Sequence, residues 1–470
     1  MSAKFILLET IDIFGIFPHY QTLLGAFLIL WLIWLFAKRR YNAASSSRQP
    51  SEEQVLAKLS IWHPEPLIAE LQNPAHPSLN PRVVSSVSGK RITVDGKDCL
   101  NLGSHNYLGL LGDERIKEKA AKTVQKYGVG SCGPRGFYGT VDVHLELEER
   151  LAKYMEAEEA IVYSYGFSTL ASAIPAYCKR KDIIFADEKV NFAIQKGLDA
   201  TRSPVRYFKH NDVQDLERLL LEQAAVDKKD PKKASKVRRF LIVEGIYINT
   251  GLICPLPDLV KLCRKYKLRI FVDESISFGT LGKNGKGVTE HFDVPRHEVD
   301  MIMGSLEWAM GSIGGFCVGS TYVIEHQRLS GLGYCFSASL PPLLTAAAIT
   351  SLDIIEEDPS ILKALQNNCR AMQKKLGELK YFELSALPES PVKHLFLKNS
   401  FERAQEEELL MKISDKCIQN YLAVIPPVYL KAERELPRPS LRLCISSTLD
   451  NQDMEFVVQT LEKCSKEILD

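Results

Sequence analysis

A chain of 470 residues that is 45% hydrophobic and 25% charged has the composition of a globular protein, which excludes a disordered or fibrous reading. Lys and Arg number 59 and Asp and Glu 58, so the formal charge of +1 leaves no global field to attract nucleic acid or an acidic substrate. Eleven cysteines, an odd count with no CxxC pair, fit a reducing compartment rather than a disulfide framework or a zinc module.

No Asp, Glu, Lys or Arg lies between Asp12 and Lys38, and Leu23 to Ala37 is apolar throughout. From Pro18 this gives roughly 20 residues and about 30 Å of helix, the thickness of a hydrocarbon core, so residues 18–37 are expected to be a transmembrane helix. Trp31 and Trp34 fit one interface, and the cluster Lys38, Arg39, Arg40 predicts a lumenal N-terminus with the bulk of the chain cytosolic. A cleaved signal peptide would carry its positive charge before the apolar run, and a buried core helix is the other alternative. Residues 1–17 read as an interfacial amphipathic helix.

Residues 38–59 read as a polar linker and a short helix, opened by the capping box Ser51 and Gln54. Arg91 to Val94 followed by Asp95-Gly96 predicts a hairpin. Beyond it, helical periodicity over 114–126 and 143–155 alternates with short apolar strands at 160–163, 183–185, 240–243, 270–272 and 301–303. That alternation is the mark of a mostly parallel sheet flanked by helices. The charged stretch 225–239 reads as a solvated loop. A large α/β domain over 60–343 and a smaller C-terminal α+β domain over 344–470 are expected.

Several segments carry chemistry. LIVEGIYINTGLICPLPD (241–258), RIFVDESISFG (269–279), NYLGL (106–110), the glycine-rich run from Gly128, SYGFSTLAS from Ser164 and FSASLPP from Phe336 stand in one order. Over residues 60–460 this resembles the α-oxoamine synthases, enzymes that join an amino acid to an acyl-CoA. The resemblance implies a fold type I aminotransferase-like fold, pyridoxal 5′-phosphate as cofactor and an active site shared between homologous subunits. That chemistry needs a lysine, an acid against the ring nitrogen, a stacking partner and donors for the phosphate.

Asp273 supplies the acid, with a helix cap as its plainer alternative. The lysine is missing: in SLEWAMGSIGG (305–315) Trp308 takes its position, and an indole nitrogen only donates. The family's stacking histidine falls on Phe192, which can still stack, and its second histidine on Ile276, which can neither donate nor accept. Lys283 and Lys286 lie downstream in a glycine-rich stretch and are poor substitutes. Ser337, ahead of Pro341-Pro342, reaches a partner's phosphate in the resemblance, or else caps the following helix; Ala338 lacks the family's second hydroxyl. Cys132, Arg135, Phe137, Tyr138 and His144 mark the glycine-rich segment as a subunit interface; a packed, satisfied His144 is at least as ordinary as a functional one, and Cys132, with no base beside it, reads as a buried packing cysteine rather than a nucleophile. No metal site is expected.

The resemblance therefore implies a chain inactive by itself, paired with a lysine-bearing homologue of the long-chain-base subunit 2 type at the endoplasmic reticulum membrane. The pair would condense L-serine with palmitoyl-CoA to 3-ketodihydrosphingosine, the first step of sphingolipid synthesis, with the cofactor held mainly by the partner. A small activating subunit and ORM-type regulators are expected beside it. An autonomous enzyme with an unconventional lysine and a pure scaffold are the rival readings.

Overall fold

A computed structural model describes residues 18–46, 51–68 and 79–470, which divide into two compact units between Leu79 and Asn80. The first holds the helices Pro18–Ser46 and Glu52–Ile61. The second helix starts where the capping box places it: the Gln54 amide donates to Ser51 Oγ and the Ser51 amide to Gln54 Oε1, both at 3.3 Å. The interfacial helix expected over 1–17 lies outside the described residues.

The expectation of a single-pass membrane protein is corrected. Among the described residues no helix is long and apolar enough to cross a membrane. Residues 38–46 continue the first helix instead of forming a linker, so it runs on past Lys38 and Arg39.

The second unit opens with the hairpin β1 (Arg91–Val94) and β2 (Lys97–Asn101), turned at Asp95 and Gly96 with φ of 48° and 79°. Seven strands then build the central sheet: β3 (Glu159–Tyr163), β4 (Ile183–Asp187), β5 (Val205–Phe208), β6 (Arg239–Glu244), β7 (Arg269–Asp273), β8 (Met301–Ser305) and β9 (Gly315–Gly319). Their order is β3-β9-β8-β7-β6-β4-β5. The block β8-β7-β6-β4-β5 is parallel, and β9 runs antiparallel to both its neighbours. Strands β6 to β9 are buried almost throughout, as a sheet covered on both faces by helices requires.

The C-terminal region adds β10 (Phe382–Ser385), β11 (Val392–Leu397) and β13 (Leu441–Cys444) as an antiparallel sheet, while β12 (Leu422–Ala423) extends the hairpin sheet. The charged stretch 225–239 is not a loop. Helix Val213–Lys229 runs into it on the buried Leu216, Leu219 and Leu220, a further turn spans Pro231–Ala234, and Arg239 pairs with Asp227 at 2.6 Å as β6 begins. Charge density on its outer face hid the leucine stripe that holds the helix.

Candidate functional site

In a doubly wound sheet, ligands bind beyond the carboxyl ends of the parallel strands. There the structure holds a cavity of about 260 Å³ whose wall includes Asn191, Phe192, Asp273, Ser275, Glu307 and Trp308. Among the described residues no lysine, arginine or histidine lines it. A larger cleft of about 590 Å³ lies at the opposite strand ends, but its arginines are committed: Arg238 to Asp182, Arg269 to Asp300, and Arg296 to the Val299 and Val318 carbonyls.

Asp273 ends β7 beside Glu244, the last residue of β6, and both are fully buried. Asn191 ties them together. Its backbone amide donates to Glu244 Oε1 and its side-chain amide to Asp273 Oδ2, each at 2.7 Å. Ser275 donates to Asp273 Oδ1 through its amide (2.9 Å) and hydroxyl (2.5 Å), and the Ile248 amide donates to Glu244 Oε2 at 3.1 Å. Burial raises the pKa of both acids, and the charge of Asp273 raises that of Glu244 further. Among the described residues no basic side chain pairs with either.

The Asn191 side-chain carbonyl also accepts from the Ile194 amide, capping helix Phe192–Thr201 and setting Phe192 at its first position, 6.1 Å from the Phe167 ring. Trp308 stacks on His105 with ring centroids 4.8 Å apart and planes at 22°. Burial holds His105 well below its ordinary pKa, so that ring is neutral behind the indole. Thus Asp273, Phe192 and Trp308 meet in one cavity. Ile276 does not join them: it is 2% exposed and packed in the core. Lys283 lines a separate surface cleft, and Lys286 is paired with Glu156.

The glycine-rich segment forms a second surface. Cys132 (φ 57°) and Tyr138 (φ 62°) hold left-handed backbone, and a Cβ at Gly139 would overlap the Gly133 carbonyl. Cys132 is exposed, Phe137 is 68% exposed and Tyr138 fully so. Arg135 and His144 are not on that surface. Arg135 is buried against Glu148 in a bidentate pair of 2.8 and 2.9 Å, with the Tyr334 ring 5.6 Å away. His144 accepts from the Val141 amide (3.1 Å) and donates to the Leu340 carbonyl (2.7 Å), a satisfied neutral ring whose pKa burial lowers.

Ser337 is half-buried on the adjoining stretch, donating to the Gly333 carbonyl at 2.5 Å. It does not cap helix Pro342–Glu357, which opens at Pro341 without a side-chain cap. Ser339, the second serine of FSASLPP, fastens this stretch to the glycine-rich segment: its amide donates to the Gly133 carbonyl at 2.9 Å and its hydroxyl to the Gly139 carbonyl.

The family model of aminotransferases of class I and II matches residues 97–461. The chain belongs to that family. Among curated members it is 40% identical to rice long chain base biosynthesis protein 1b, over 97% of this chain and 94% of that protein. It is 39% identical to serine palmitoyltransferase 1 of Dictyostelium discoideum, over 94% and 93%. Among solved structures it superimposes on a serine palmitoyltransferase from S. paucimobilis with bound PLP–myriocin aldimine. The TM-score is 0.75 at 25% identity, covering 83% of this chain and 93% of that one.

The residues around Asp273 do not fit the cofactor of this aminotransferase family. Among the described residues no amine faces the cavity, and both oxygens of Asp273 are engaged by Asn191 and Ser275, which leaves the rings of Phe167, Phe192 and Trp308 as the remaining contacts. Sequence reasoning missed Asn191, Glu148, Glu244 and Glu307. Asn191, just ahead of a helical pattern, carries a capping signal that could have found it; the others reveal themselves only through contacts between distant elements.

Proposed function

We propose that this chain is a subunit of a heteromeric serine palmitoyltransferase, and that a homologous subunit of the long-chain-base subunit 2 type supplies the reacting lysine. The assembly condenses L-serine with palmitoyl-CoA to 3-ketodihydrosphingosine, opening sphingolipid synthesis. The relatives' names support the reaction. The observation that carries the division of labour is the cavity wall, where Trp308 stands and no lysine does. An indole N–H donates a hydrogen bond, but its nitrogen lone pair belongs to the ring and does not add to a carbonyl. Pyridoxal 5′-phosphate, held mainly by the partner, supplies the electron sink for bond breaking at the amino-acid α-carbon.

This chain's own contribution is a surface. Cys132, Phe137, Tyr138 and Ser337 face the partner and complete its site, while Arg135 and His144 hold that surface from behind. A small activating subunit and ORM-type regulators belong to the same assembly.

Co-expression with the catalytic homologue, followed by labelled serine and palmitoyl-CoA turnover, tests this reading. Product is expected only when both chains are present, and replacing Phe137 and Tyr138 by Ala is expected to reduce co-purification and turnover together. Turnover by this chain alone would overturn the proposal. Full turnover by the partner alone would reduce this chain to a bystander.

A further inference from the structure

Helix Gly166–Tyr177 starts in the wall of the Asp273 cavity, with Gly166 and Phe167 in its lining. The first amides of a helix carry partial positive charge and lack intrahelical acceptors, and Tyr165 at the cap offers no side-chain acceptor. An anion is therefore stabilised at this point, and the chain provides one itself. The Gly166 amide donates to Glu307 Oε1 at 3.1 Å. A Cβ built on Gly166 would lie 3.3 Å from Glu307 Oε2 and 3.2 Å from Ser305 Oγ, so the carboxylate rests close against the helix start.

Glu307 is held there by its own backbone. It follows the end of β8, and its amide donates to Ser305 Oγ at 3.0 Å. No lysine, arginine or histidine pairs with it among the described residues, so the helix end is its electrostatic partner. Asp273 and Glu433 line the same cavity, so its charged side chains are all acidic.

We infer that Glu307 is a built-in occupant of an anion position, closing this chain's cavity to phosphate-bearing cofactors independently of the missing lysine. A phosphate entering the cavity would have to displace a tethered carboxylate from the donors it needs, in a wall with no compensating cation. The inference deepens the proposal of a subunit without catalytic chemistry: the cavity lacks the amine at 308 and is plugged at 307. Supplying a lysine at 308 alone would then leave phosphate affinity unrestored.

The test is binding by the full chain, purified without its partner, of inorganic phosphate and of pyridoxal 5′-phosphate, read by equilibrium dialysis. Glu307→Ala and Glu307→Gln are compared with the parent after circular dichroism confirms folding. The parent is expected to show no saturable phosphate binding in the millimolar range. Glu307→Ala is expected to bind pyridoxal 5′-phosphate at least about tenfold more tightly than the parent, in competition with inorganic phosphate, and Glu307→Gln to fall between them. Equal affinities in the parent and both folded variants would overturn the inference, as would saturable phosphate-competed binding by the parent. Should Glu307→Ala not fold, the Gln variant decides by the same criterion. The proposed assembly is judged separately, by turnover with the partner, and stands or falls without reference to these affinities.

Discussion

The cavity beside Asp273 and the surface around Tyr138 treat their polar and aromatic groups in opposite ways. In and beside the cavity, acids are turned onto the protein: the lining Asp273 onto Asn191 and Ser275, Glu307 onto the helix start at Gly166, and the buried neighbour Glu244 onto Asn191 and Ile248. At the surface, a buried ion pair and a satisfied histidine hold a loop whose aromatic side chains are left in solvent, one of them on left-handed backbone. Such strain persists only where surrounding structure enforces it, and it concentrates at sites that act on something else. The comparison teaches that this chain keeps the outline of a ligand pocket as architecture and reserves its exposed, shaped surface for contact.

The largest effect that would break this contrast lies at Arg135. Arg135→Ala strips buried Glu148 of its bidentate partner and leaves it only Arg328 at 3.5 Å and the Val162 amide at 3.0 Å, and the expected loss is about 3 kcal/mol in urea unfolding, together with loss of partner association. A loss well under 1 kcal/mol would mean that the pair does not hold the loop.

Acidification comes next, because both regions rest on neutral histidines. His394 is bonded to the Ile248 carbonyl at 2.8 Å and to the Ser440 hydroxyl at 2.9 Å, and burial pushes its pKa down to about 4 from an ordinary value of 6.5. The unfolded chain therefore takes up the proton first. Stability from this group is intact above about 6.5 and is lost as pH falls toward 4, by about 3 kcal/mol in all. His105 and His144 are lowered in the same sense, whereas burial raises Glu274 to about 7 and gives it the opposite slope. The expected outcome is a shallower loss of stability between pH 7 and pH 4.5 in His394→Gln than in the parent. Parallel pH profiles would place the acid sensitivity elsewhere.

The smallest effect sharpens the role of the strained loop. Tyr138→Gly relieves a φ of 62° and is expected to raise stability by about 1 kcal/mol, while removing an exposed aromatic and weakening partner binding. Thermal unfolding and co-purification measured on the same variant should move in opposite directions. If both move together, the tyrosine serves the fold rather than the contact.

Much of the framework is legible in the amino-acid order. The capping box at Ser51, the Asp95-Gly96 turn and five of the central strands follow from local periodicity and turn chemistry. Strand β9 is not legible in that way, since Gly315 and Gly319 at its ends resemble loop, and it becomes a strand because β3 and β8 flank it on both sides. The helix over 213–229 hides beneath its charge.

At the site, residue types alone place Asp273 at a strand end and deny the cavity an amine at 308. Carboxylates, indoles and lysines differ in chemistry wherever they stand, and that difference is written into the chain itself. What Glu307 and Arg135 do was decided by tertiary structure alone. Their partners are Gly166, 141 residues away, and Glu148, on a different element, and whether a charged group serves a ligand, a subunit or its own chain depends on which donor the fold sets against it.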